Sequence, residues 1–159
     1  MSDHRTEAPF AGPAEGLVRL DLAAVLVGRA AARVGAMGRS REAAVVRDGG
    51  EAVCERCTVA ETPLTRLRGL LGRSGLEPRE GLLIRPTSAI HTCFMRFPID
   101  VVFLDRELVV LGVETNLRPW RAAARRGAKA VLELASGESG RRGIQRGERF
   151  QLAERPAVK

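Results

Sequence analysis

FPIDVVFLDRELVVLGV, residues 97–113, decides the reading of the fold. Two apolar, β-branched runs flank the dipeptide Asp105-Arg106, the pattern of two strands joined by a tight turn. Pro98 has no N–H to give a sheet ladder, so the first strand starts at Ile99 and runs to Leu104. The second covers residues 108–113. A lone hairpin is only marginally stable in water, so the flanking sequence must supply more strands.

It does so on both sides. Upstream, residues 90–96 alternate, with Ile90, Thr92 and Phe94 on one side and His91, Cys93 and Met95 on the other. Residues 81–85 form a short apolar strand ending before Pro86, and residues 53–60 alternate again. Downstream, residues 128–134 and 148–152 read as strands, and residues 117–126 as a loop. Two short helices interrupt the series. Thr62-Pro63 looks like an N-cap followed by proline in the first turn, with Leu64, Leu67 and Leu71 at helical spacing and Gly72 as a stop. Ser136 caps a second helix of one or two turns that ends near Gly143. The expected fold is α+β, mainly β: a small barrel-like or sandwich-like domain over residues 51–153, with an antiparallel or mixed sheet, two short helices and a tail at 154–159.

The first fifty residues have a different texture. Residues 1–16 are polar with Pro and Gly and are expected to be disordered. The alanine-rich stretch 17–34 favours helix. Residues 38–50 read as a linker, and Met37 just before it is a candidate alternative start. Residues 1–50 are thus expected to be a disordered or loosely helical extension.

Charge is uneven. The formal net charge is +7, and lysine occurs only at Lys129 and Lys159. Residues 51–159 carry nineteen basic against thirteen acidic side chains, which gives this part an attraction for anions. The arginines are dispersed, as on a solvated surface, and aromatics make up only 4% of the chain, a poor supply for stacking on single-stranded nucleic acid. Three cysteines in a chain of 159 residues make no disulfide framework and fit a reducing compartment. No stretch approaches the length of a membrane span. The apolar run at 22–27 is short and follows acidic residues, unlike a secretory leader. A cytoplasmic location is expected.

Several ordered motifs resemble one family. They are Arg68-Gly69-Leu70-Leu71-Gly72-Arg73, Gly81-Leu82-Leu83, the run from His91 to Leu104, and Val131-Leu132-Glu133-Leu134 with Gly137. Together they resemble the domain-of-unknown-function family 192 over about residues 52–152. The resemblance implies a small, mostly β fold of barrel type and no agreed activity. One departure stands out: the family usually has Phe-Trp-Met-Lys where this chain has Cys93-Phe94-Met95-Arg96. Phe94 keeps an aromatic face but lacks the indole donor.

Four readings of the polar residues compete. In the first, Arg73, His91, Asp100 and Glu133, with Phe94, line a polar site for a small anionic or polyhydroxylated ligand, and the protein is a binding or accessory module. Asp100 is the sharpest member, because a carboxylate inside an apolar run needs a cation, a set of N–H donors or water. Arg73 or Arg68 could be that cation, and a buried Arg–Asp bridge would then be purely structural. Glu133 could equally face solvent beside Lys129 and Val131. In the second reading, a hydrolase uses Asp100 and His91 as acid–base groups. The third is zinc: Cys54 and Cys57 have ligand spacing, and His91 and Cys93 share a strand side. Three residues apart on an extended strand, however, Cys54 and Cys57 point to opposite faces, so no metal or other cofactor is the favoured expectation. Cys93 and His91 are also too close along one strand for a nucleophile–base pair. The fourth is a nucleic-acid or anion patch made by Arg118, Arg121, Arg125, Arg126, Arg141, Arg142 and Arg146 around Trp120.

Overall fold

The computed structural model describes residues 17–20, 41–62, 65–66 and 69–153. Among these residues it has ten strands: β1 (Leu17–Leu20), β2 (Arg41–Arg47), β3 (Ala52–Ala60), β4 (Glu80–Ile84), β5 (Ala89–His91), β6 (Ile99–Leu104), β7 (Val110–Leu117), β8 (Ala122–Arg125), β9 (Ala130–Ala135) and β10 (Phe150–Ala153). A helix, α1 (Glu138–Arg141), lies between β9 and β10. Seven strands form a mixed sheet in the order β10-β2-β3-β4-β9-β6-β7, in which only β3 and β4 pair in parallel. The sheet curls into a half-barrel. At one end its outermost strands meet, because Val110 donates to the Glu148 carbonyl (2.8 Å) and Phe150 to that of Leu108 (3.0 Å). A second sheet, β1-β8-β5, is fully antiparallel.

The sheet has two covered faces, which explains the unbroken apolar run in β6. Val102 and Leu104 point into the curl with Leu83, Leu132, Leu134, Val45 and Phe150. Ile99, Val101 and Phe103 point outward and pack with Leu82, Ile84, Val131, Ile90 and Ala123. All six β6 residues are buried. Each of its large apolar side chains contributes on the order of 2 kcal/mol by leaving water. The turn after β6 also follows the sequence: the Asp105 carboxylate accepts from the backbone N–H of Glu107 and of Val109, both at 2.9 Å.

Five expectations are corrected. Leu17–Leu20 is strand, paired with β8, and not the start of a helix; residues 1–16 and 21–40 lie outside the described residues. The proposed linker contains β2, whose Ala43 and Val45 are core residues. The alternation at 90–96 ends in strand after His91, because Phe94 turns to φ 62°. The proposed loop at 117–126 contains β8. Gly137 at φ 89°, not Ser136, stands at the N-terminus of α1; of the other expected helix, residues 65–66 are described and are helical. The other expected helix falls partly outside the described residues. Thr62 does begin a turn there: Thr65 N–H donates to Thr62 Oγ1 (3.2 Å), and Arg66 N–H to the Thr62 carbonyl (3.0 Å).

Candidate functional site

The residues grouped by the sequence do not converge. Asp100 has no exposed surface and forms no ion pair with an arginine among the described residues; Arg68 lies outside them. Its Oδ1 accepts from Asn116 N–H (2.9 Å); its Oδ2 accepts from the N–H of Gly137 and of Ser139 (both 3.0 Å) and from the Ser139 hydroxyl (2.5 Å). The expected cationic partner is therefore replaced by N–H and O–H donors at the start of α1. This carboxylate ties β6 to β7 and α1, and it has no remaining task for a ligand. Arg73 instead sits 3.5 Å from Glu80, half exposed. Phe94 is 66% exposed and packs on Trp120, away from Asp100.

His91 and Glu133 are brought together. They line a cavity of about 300 Å³, open on one side, between Arg66, residues 69–71, β4, β5 and β9. Leu70, Leu71, Ile84, Ile90 and Met95 make its walls, with Arg66 and Thr87 as further polar members. Arg66 was missed by the sequence reading, although Thr62 as a cap places it one helical turn later. Its Nη1 is held by the Pro86 carbonyl (2.6 Å). Glu133 is 4% exposed, which corrects the solvent-facing alternative. It stands opposite Leu82 on β4 and shares the outward side of β9 with fully buried Val131. No described residue donates a hydrogen bond to its carboxyl group. Burial pushes its pKa up to about 8, so it is a neutral acid at pH 7, able both to donate and to accept.

Asp100 is absent from this cavity lining and shares the inward side of β6 with Val102 and Leu104, whereas Glu133 faces outward. An Asp100–His91 acid–base pair is therefore excluded by the sheet between them. The four proposed zinc ligands are likewise dispersed. Cys54 and Cys57 do face the same way, contrary to the expectation from an extended strand. Ala43 pairs with Cys57 and Val45 with Cys54, so an extra β3 residue bulges out between them. Both thiols end in the inward core, while Cys93 packs with Ala122 and His91 is exposed. The hydrogen bond with Cys54, together with burial, pushes the Cys57 thiol well above the usual thiol range. All three cysteines are free, and no cluster of three or more metal-ligating side chains occurs among the described residues.

Three of the seven patch arginines are held by the protein itself, while Arg118, Arg121, Arg126 and Arg146 are exposed. Arg125 is buried, with its guanidinium 5.8 Å from the Phe103 ring centroid and Nη1 donating to the Leu111 carbonyl (3.2 Å). Arg141 and Arg142 both pair with buried Glu138, and Arg142 also bonds the carbonyls of Ala52 and Pro78. These arginines fasten α1 and β8 to the sheet. Arg118 and Arg121 remain exposed beside Trp120.

The sequence profile of DUF192, uncharacterized ACR, matches residues 44–152. The chain belongs to this family. The DUF192 match begins inside β2, which agrees with that strand's place in the sheet. A UPF0127 protein of Pyrococcus abyssi (strain GE5 / Orsay) is 48% identical over 50 residues, a match spanning 31% of this chain and 42% of that relative. Two solved structures share the fold. A proposed transcription regulator of Sinorhizobium meliloti 1021 superposes with a TM-score of 0.63 at 21% identity, covering 74% of this chain and 98% of the other. A protein of unknown function from Novosphingobium aromaticivorans DSM 12444 gives 0.60 at 24% identity, covering 69% and 83%. At these identities the likeness shows the DUF192 fold alone. No helix among the described residues is long and apolar enough to cross a membrane.

Proposed function

We propose that the protein is a small-ligand binding module whose site is the cavity over Glu133. The observation that carries this reading is a nearly buried carboxyl group, without a hydrogen-bond donor among the described residues, facing an open, apolar-walled space. A buried polar group left unpaired is costly, so a ligand that bonds it gains more than the same bond would give in water. The cavity volume lies at the small end of ligand pockets. Its walls take an apolar body. The protonated carboxyl takes one hydroxyl or amine, and an anionic end would meet Arg66 and His91.

This keeps the small-ligand reading and revises its residues: Glu133 and His91 stay, while Arg73, Phe94 and Asp100 leave. The test is a thermal-shift screen with short-chain alcohols, amines and hydroxy acids, because a ligand bound only to the folded state raises its melting temperature. Compounds bound through the cavity should stabilise the wild type and lose that effect in Glu133→Leu, which keeps the volume but removes both polar atoms. Hits that stabilise both proteins equally, or no hits at all at millimolar concentration, would refute the assignment.

A further inference from the structure

A second surface lies at the tips of the 92–98 and 117–121 loops. Phe94 (66% exposed) and Trp120 (47%) are the large hydrophobic side chains most open to solvent among the described residues. Their ring centroids are 4.7 Å apart, edge to face at 63°. Both residues hold left-handed backbone, φ 62° and φ 60°. That conformation is rare for bulky residues and persists only where the surroundings impose it.

Thr92 imposes it. This residue is fully buried between the two loops. Its N–H donates to the Arg121 carbonyl (2.7 Å), and its own carbonyl accepts from Trp120 N–H (3.0 Å). Its hydroxyl donates to the Arg118 carbonyl (2.6 Å) and accepts from Arg121 N–H (2.9 Å). The exposed arginines Arg96, Arg118 and Arg121 lie one or two residues along the chain from the two rings. No described carboxylate forms an ion pair with any of the three. The strained backbone thus displays two aromatic rings outward, with exposed arginines as their close neighbours along the chain.

We infer that this tip is a docking surface for an anionic lipid bilayer. Trp and Phe rings settle at the level of lipid head groups, and arginines beside them meet the phosphates while their stems stay in apolar surroundings. Single-stranded nucleic acid fits the geometry less well. It needs free ring faces spaced for successive bases, whereas these rings cover each other edge to face. The exposed Arg96, Arg118 and Arg121 supply the charge complementarity that selects an anionic surface over a neutral one.

The chain offers its own probe, since Trp120 is its only tryptophan and it has no tyrosine. Intrinsic fluorescence of the full chain is read during titration with phosphatidylglycerol vesicles and with phosphatidylcholine vesicles. The expected result is a blue shift of emission with the former only, reversed by salt. Partitioning should weaken about fivefold for each of Arg118→Gln and Arg121→Gln. Phe94→Ala, at an exposed position, should weaken it without loss of the far-UV spectrum. An unchanged emission with phosphatidylglycerol, or the same shift with both lipids, overturns the inference. Quenching by an oligo-dT strand without any response to vesicles overturns it too and assigns the tip to nucleic acid.

Discussion

Replacing Asp100 by asparagine should cost about 3 kcal/mol and loosen the α1 end of the sheet first. The carboxylate now faces four donors and has only acceptors. An amide has one oxygen and one NH2 group. If the oxygen stays on the α1 side, the NH2 group confronts Asn116 N–H; if it turns round, the N–H groups of Gly137 and Ser139 are stranded. At least one buried donor is left unpaired, at roughly 2 kcal/mol, and the other three bonds lose their charge assistance, at about 1 kcal/mol each. Removing a charge from a site with no exposure returns roughly 2 kcal/mol of desolvation. The net loss should lower the melting temperature by roughly 10 °C for a domain of this size. Urea denaturation measures the loss, and amide exchange at Asn116, Gly137 and Ser139 locates it. A variant within about 1 kcal/mol of wild type, with those amides still protected, would refute the role assigned to this carboxylate. The same variant separates structure from binding, since the ligand cavity does not include Asp100.

Two further outcomes follow from the outward and inward faces of the sheet. Glu133 stays protonated to about pH 8 when folded, but the unfolded carboxyl loses its proton near 4.5. The contribution of that retained proton to stability is therefore complete below about pH 4.5 and declines as pH rises towards 8, by up to about 1.4 kcal/mol per unit. Glu133→Gln should flatten this decline in denaturation curves taken from pH 5 to 8, and an unaltered slope would show that another group titrates. Gly81→Ala should destabilise by about 1–3 kcal/mol, because a Cβ there would stand 2.8 Å from Cys54 Sγ and 3.0 Å from the Glu133 carbonyl. Adding Cys54→Ala should restore part of that loss, as a double-mutant cycle would detect; strict additivity would argue that the two residues do not share the space.

Much of the strand framework was legible because it is written in local periodicity. The run at Ile99–Leu104, the Asp105 turn, β3, β4 and β9 all announce themselves through apolar patterning and turn residues. The family motifs of DUF192 lie on these same elements. Where local signals erred, backbone geometry outweighed side-chain alternation. Residues 90–96 alternate well enough for a strand, yet the hydrogen bonds of Thr92 to Arg118, Trp120 and Arg121 bend the chain at Phe94. Likewise Arg41–Arg47 reads as linker because glycines bound the stretch 38–50, and it becomes strand by pairing with β3 and β10.

The candidate site lay beyond any local pattern. That Asp100 had to be satisfied followed from its apolar neighbours alone, since a buried carboxylate without partners is too costly to persist. Which groups satisfy it depended on chain 16 to 39 residues away, brought in by the return of β7 and α1. Glu133 and His91, 42 positions apart by residue number, meet across the outward face because the second sheet covers it. Alternation along a strand says that side chains point to two sides. Which side is sealed, which opens to a cavity, and what stands opposite are set by long-range packing.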